Sequence, residues 1–420
     1  MTEENTTSGA PTVFFTKQPI LDAHRSIWGY ELLGGEEKGG LYEIFPQKES
    51  TVGLSSSTYL GLQEPMERGK KIMVGFDETG ILTGVPYALP PANSVVRVLA
   101  GGEVQAPGLE AALQTLRQEG YQINWEVHCD RPLPDALYAP GDIFSFDLTQ
   151  GKPDLTLLAR GGHPSSRLLA RDIKTHEQYS AAKDLGFALF QGPFFKKPEY
   201  VPDRQLGSNQ VARFNLFQLL EVEDPDVKVL AEAILSDVSI SFRLLSYLNS
   251  AWFGFRHNIQ SIDQAIMILG WIKLKSWLQA VLFVDLVGKE EVPREVAALS
   301  LQRGKFFELL AKEYDYWGYN PNTLFLLGLF SLLDTILGLP MDQIVELLPL
   351  EVKLKAALRQ DLNNEYRPLF ELLDSLEIGD WATLDSLTQN LLLDLNRVKA
   401  FFAQARDWAG GFFTQIGAAS

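Results

Sequence analysis

The chain has 420 residues, 46% of them hydrophobic, enough for two domains that each bury a core. A formal net charge of -16 repels phosphate backbones, so no nucleic-acid partner is expected, and no Lys/Arg run marks a local exception. The single cysteine, Cys129, excludes an internal disulfide and fits a reducing cytoplasm, while no run of about 18 apolar residues or basic-then-apolar leader predicts membrane insertion or export.

Residues 1–12 are polar and predict a disordered tail. From Val13 to Pro198 short β-branched or aromatic runs alternate with helical segments. "TVFFTKQPIL" and "SIWGYELL" predict two strands around a turn at "DAHR". "KKIMVGF", "SVVRVLA", "YQINWEV", "DIFSFDL", "LLARDI" and "FALFQG" predict six more. "GLEAALQTLRQEG" and "THEQYSAAKDLG" predict helices among them. So many βα units in one domain predict a parallel (β/α) barrel over 13–198. "PEYVPDRQLGSN" lacks an apolar period and predicts a linker at 199–209.

From 210 to 420 the pattern is helical. Asp224 followed by Pro225 predicts a helix start, and "SIDQ" (Ser261 to Gln264) has the form of a capping box. "LFLLGLFSLLDTILGL" (Leu324 to Leu339) predicts one buried helix carrying Asp334. The fold class is therefore α/β followed by all-α.

The N-terminal half resembles an EAL domain, through "KQPILDAHRSIWGYELL", "SFDL" and "DLGFALFQGPFFKKPEYV". The C-terminal half resembles an HDOD domain of the HD superfamily, through Ile234 to Trp271 and "LGLFSLLDTILGLP". The order is that of EAL–HDOD bacterial signalling proteins. The resemblance implies a TIM-like barrel descended from cyclic di-GMP phosphodiesterases, in which two divalent metals held by carboxylates and amides activate a water.

Position by position, Glu31 matches the glutamate of the E-A-L motif, while Gly75 stands where the family has a ligand asparagine. Arg97 and Arg171 stand where it has glutamates, as does Lys174, and Glu126 and Val127 replace paired aspartates. Ser145 replaces a lysine, whereas Asp147 and Gln191 match. Gly35 occupies the place of an arginine that contacts the dinucleotide. Two guanidiniums near two divalent cations cost roughly 4 kcal/mol per unit-charge pair at 4 Å and an effective dielectric of 20. From these exchanges the chain is expected to be no enzyme, with no metal or other cofactor. Glu31 is expected to pair with Arg97 or Arg171, with Asp147 and Gln191 in the same network.

The helical half carries one histidine, His257, and Ser331 stands where a ligand histidine of the HD pattern would be, so a multi-histidine metal site is not expected there. "HCD" (His128 to Asp130) reads as a strand end. Trp252, Phe253 and Phe255 form a candidate partner surface. The expected function is a non-catalytic signalling adaptor acting through protein partners, in motility, surface behaviour or second-messenger circuits. A homodimer stays open by analogy with other EAL barrels. Two alternatives stay open beside it: a metal-free cyclic di-GMP receptor, which is not favoured, and a residual phosphodiesterase.

Overall fold

The computed structural model describes residues 14–34, 65–99, 108–127, 141–151, 166–200, parts of 206–249, and 259–417, apart from isolated positions within those ranges. The tail at 1–12, Gly35, "HCD", the helix start at Asp224, Ser261 and the stretch containing Trp252, Phe253, Phe255 and His257 lie outside the described residues.

The eight strand runs form a closed barrel in chain order. They are β1 (Phe15–Asp22), β2 (Ile27–Gly34), β3 (Lys71–Asp77), β4 (Ser94–Leu99), β5 (Gln122–Glu126), β6 (Ile143–Asp147), β7 (Arg167–Arg171) and β8 (Leu189–Gln191). Helices α1 (Glu78–Leu82), α2 (Leu109–Gln118) and α3 (His176–Asp184) lie between them in sequence. Helix α2 buries Leu109, Leu113 and Leu116, one helical stripe, and α3 opens on a capping box between Thr175 and Gln178.

One feature departs from the all-parallel expectation. β1 runs antiparallel to both neighbours, β2 and β8, while the remaining pairs are parallel. The short turn after Asp22 is the cause: a two-strand hairpin leaves no room for the crossover that parallel neighbours need. Asp22 fixes that turn by accepting from the backbone N–H of His24 and Ser26.

Side chains alternate across a strand, so every second residue faces the barrel interior. Ile20, Met73, Val95, Ile143, Leu169 and Leu189 form one closed interior layer, each at most 1% exposed. Two residues further along β3, β4, β6, β7 and β8 come Gly75, Arg97, Ser145, Arg171 and Gln191. The apolar layer thus becomes the floor beneath a polar one at the carboxyl ends of the parallel strands, where barrels of this type place their chemistry.

A second compact unit comprises Lys196–Leu373 and Leu387–Ser420; the intervening Asp374–Ser386 groups with the barrel, Met1–Phe195. The sequence division at 198 and 210 assigns that segment wholly to the helical half. The described helices from α4 onward are α4 (Ile262–Val284), α5 (Glu291–Glu313), α6 (Pro321–Phe330), α7 (Leu333–Leu337), α8 (Met341–Leu347), α9 (Val352–Leu358), α10 (Arg367–Ile378), α11 (Trp381–Asn390) and α12 (Leu395–Gly417). The single helix expected over 324–339 is two, α6 and α7. The break falls at Ser331, whose hydroxyl donates to the Gly328 carbonyl and accepts from Arg303 Nη1. Within α4 the stretch Ile266–Val284 is long and apolar enough to cross a membrane, with a mean hydropathy of 1.4, but 56% of it is buried and the helix is broken inside it at Gly270, where φ is 71°.

Helices α5 and α6 approach through glycines. A Cβ on Gly328 would stand 2.5 Å from the Gly304 nitrogen and the Arg303 carbonyl carbon, both backbone atoms. Neither can swing aside, so Gly328→Ala must push the helices apart. We expect it to lower the unfolding free energy by about 1–3 kcal/mol, the usual range for overpacking, measured by urea denaturation of the full chain.

Candidate functional site

The polar layer closes around one carboxylate. Glu31, on β2, is 1% exposed, and both its oxygens are engaged. Arg97 Nη1, from β4, lies 2.5 Å from Oε1, and Arg171 Nη2, from β7, lies 3.0 Å from Oε2. Gln191 Nε2, from β8, donates to Oε2 at 2.5 Å. The other arm of Arg97 pairs with Glu126, at the end of β5. Two guanidiniums thus stand against two carboxylates, a formally neutral cluster at the mouth.

Burial alone would raise the Glu31 carboxyl, but the Arg171 and Arg97 charges and the hydrogen bond from Gln191 outweigh it and hold Glu31 below the ordinary carboxylate value. Burial pulls the Arg97 guanidinium down, yet Glu31 and Glu126 reverse that and raise it. Arg171 moves the other way, lowered first by burial and then by the charge of Arg97. Both guanidiniums stay charged, since their ordinary value is far above neutrality.

The other predicted positions fall as follows. Gly75, Asp147 and Lys174 line the same cavity, of about 740 Å³, as Glu31, Arg97, Glu126, Arg171 and Gln191; Asp172, which was not among the predicted positions, lines it too. Asp147 accepts from the Thr149 backbone N–H at 2.9 Å and from its hydroxyl at 2.6 Å, capping the turn after β6. Lys174 pairs with Asp172 at 3.1 Å on the rim. Ser145 lies below the mouth, fully buried, donating to Asn124 Oδ1 at 3.0 Å. Val127 is buried, and its amide donates to the Ser145 carbonyl.

Two further groups at the site were not singled out from the sequence. Gln18, on β1, faces Glu31 in the hairpin register and accepts from Gln191 Nε2 at 3.1 Å. Its place two residues from the interior Ile20 is the signal that marks it. The other is Ile378–Trp381, which lines the cavity from between α10 and α11. "IGDW" marks a helix end and a new start, but no local signal sends it to a barrel.

The residues present do not fit the pair of divalent metals that the resemblance implies. Glu31 has given both oxygens to N–H donors, and Gly75 offers no side-chain oxygen, with Leu99 occupying the space its Cβ would enter. Among the described residues no group of three His, Cys, Asp or Glu side chains could hold a metal ion. What remains unmet is hydrogen bonding: Arg97 Nε and Gln191 Oε1 are buried without a partner.

The profile of the HDOD domain matches residues 208–348. YuxH of Bacillus subtilis, an uncharacterized protein, is 30% identical over 94% of this chain and 98% of its own. The cyclic di-GMP phosphodiesterase CdgJ of Vibrio cholerae is 29% identical over 95% of this chain and 92% of its own. An EAL domain protein from Listeria monocytogenes covers 44% of this chain and 87% of its own at 14% identity, with a TM-score of 0.31. BlrP1 of Klebsiella pneumoniae, solved with manganese and cyclic di-GMP, covers 46% of this chain and 56% of its own, at 14% identity and a TM-score of 0.34.

The expectation that this chain is no enzyme is overturned by CdgJ, a relative named as a phosphodiesterase and aligned along nearly all of both chains. The electrostatic argument behind that expectation counted the arginines without their partners. Glu31 and Glu126 compensate Arg97 and Arg171, so the mouth presents no net positive barrier.

Glu31→Gln strips the cluster of its central charge and is expected to cost about 3–5 kcal/mol, as breaking buried pairs does. Because the folded carboxyl lies below its ordinary value of 4.5, its contribution is complete above about pH 4.5 and lost as pH falls through the depressed value. The variant should therefore be less stable at pH 7 and show a flatter loss of stability below pH 4.5, read by urea melts across pH.

A closed eight-stranded barrel, an HDOD match and a relative aligned end to end place this chain in the EAL–HDOD family of two-domain bacterial signalling proteins.

Proposed function

We propose that the protein works in cyclic di-GMP signalling and recognises the dinucleotide at the mouth of its barrel. The observation that carries this is the pair of guanidiniums, Arg97 and Arg171, that line one cavity at the barrel mouth. Guanidinium N–H groups are the preferred partners of phosphodiester oxygens. The cavity, about 740 Å³, is within the range of small-molecule sites, and its rim adds the apolar Leu32, Leu33 and Leu99.

Hydrolysis of the dinucleotide is a second reading, favoured by the likeness to CdgJ over 95% of the chain. Onward signalling through contacts with other proteins, a second copy included, belongs to the same proposal, as does a cytoplasmic setting. Light scattering on the purified chain reads the second-copy part.

Calorimetry with cyclic di-GMP on the full chain should give saturable binding, weakened at least tenfold, about 1.4 kcal/mol, by Arg171→Gln. Chromatography of the same mixtures, with and without magnesium or manganese, reads any linear dinucleotide formed. No saturable binding at millimolar ligand together with no product would sink the proposal.

A further inference from the structure

One wall of the barrel cavity is not encoded in the barrel half of the chain. Helix α10 ends at Ile378, Gly379 turns the backbone at φ 74°, and the Asp380 amide donates back to the Ser375 carbonyl at 2.9 Å. The Asp380 carboxylate then accepts from the Thr383 amide at 3.1 Å and starts α11. The corner is therefore stiff, with both helix ends capped.

Three contacts seat it on the barrel. Trp381, 7% exposed, takes the Phe14 ring edge-on at 5.6 Å. Gly379 approaches Leu33 so closely that a Cβ would lie 3.2 Å from it. Gln18 Nε2 donates to the Glu377 carbonyl at 3.2 Å. That last bond completes a chain: Glu31 accepts from Gln191, Gln191 donates to Gln18, and Gln18 donates to the corner.

We propose that Ile378–Trp381 is a ligand-contacting wall of the barrel site, and that Gln18 and Gln191 tie its position to Glu31. Ile378, an isoleucine 45% exposed, lines the same cavity as the charged cluster. Ile378 and Trp381 give the wall its apolar part, and the Asp380 carboxylate between them is engaged by the Thr383 amide; with paired guanidiniums lining the same cavity, this suits a ligand with a planar apolar part and an anionic part, the composition of a nucleotide. The outer residues of α10 and α11, up to Leu373 and from Leu387, group with the helical unit. Ligand fit at the barrel therefore depends on residues that the helical half supplies. The identity of the ligand rests on the function proposed above; the tie between corner and site does not.

Two measurements on the full chain decide it. Ile378→Glu, a change at a half-exposed position, should weaken cyclic di-GMP binding at least tenfold without moving the thermal midpoint; unchanged affinity overturns the wall. Gln18→Leu should speed hydrogen exchange of amides 376–385 at least tenfold while β3 and β4 amides keep their rates; unchanged exchange overturns the tie. Should Gln18→Leu unfold the barrel, Gln18→Glu, which keeps the side chain's shape and its acceptor but removes the donor to the Glu377 carbonyl, gives the same reading. If the wild type binds no dinucleotide, the proposed function falls while the exchange measurement still decides the corner.

Discussion

A carboxylate that is 1% exposed has to be compensated, and around Glu31 that requirement organises the whole mouth of the barrel. Two strands on opposite stretches of sequence each deliver a guanidinium, β8 delivers an amide, and Glu126 balances the second charge of the pair. Remove any member and a charge or donor is left buried without its partner, which costs more than the intact cluster contributes. The cluster is thus conditional: it holds as a set.

Much of the barrel was legible because strand formation there is a local matter. Short β-branched and aromatic runs such as "KIMVGF" and "SVVRVL" suit strands covered on both faces, as in a parallel sheet ringed by helices, and period-two counting from Met73, Val95 and Leu169 leads directly to Gly75, Arg97 and Arg171. The direction of β1 was not legible, since propensity carries no sense of strand direction. The break between α6 and α7 was hidden because Ser331 interrupts an otherwise apolar run through hydrogen bonds to a neighbouring helix and its own. The corner at Ile378–Trp381 was hidden for another reason: its bond to Gln18 spans 359 residues.

The charge exchanges at the site teach a related lesson. Arg97 and Arg171, taken singly, look like positive charges set against a cation site. Taken with their partners they form a neutral network, and the meaning of each substitution lies in the pairings rather than in the residue type.

The antiparallel course of β1 has a practical consequence. A parallel first strand would bring the chain in at the base of the barrel. Here β1 descends from the mouth, so the polypeptide enters the barrel at Phe14, in ring contact with Trp381 and four residues from Gln18. Anything fused just ahead of Phe14 is tethered beside the cavity. A fluorophore placed there would sit next to the wall it is meant to watch, and a bulky fusion partner there would be expected to crowd the opening.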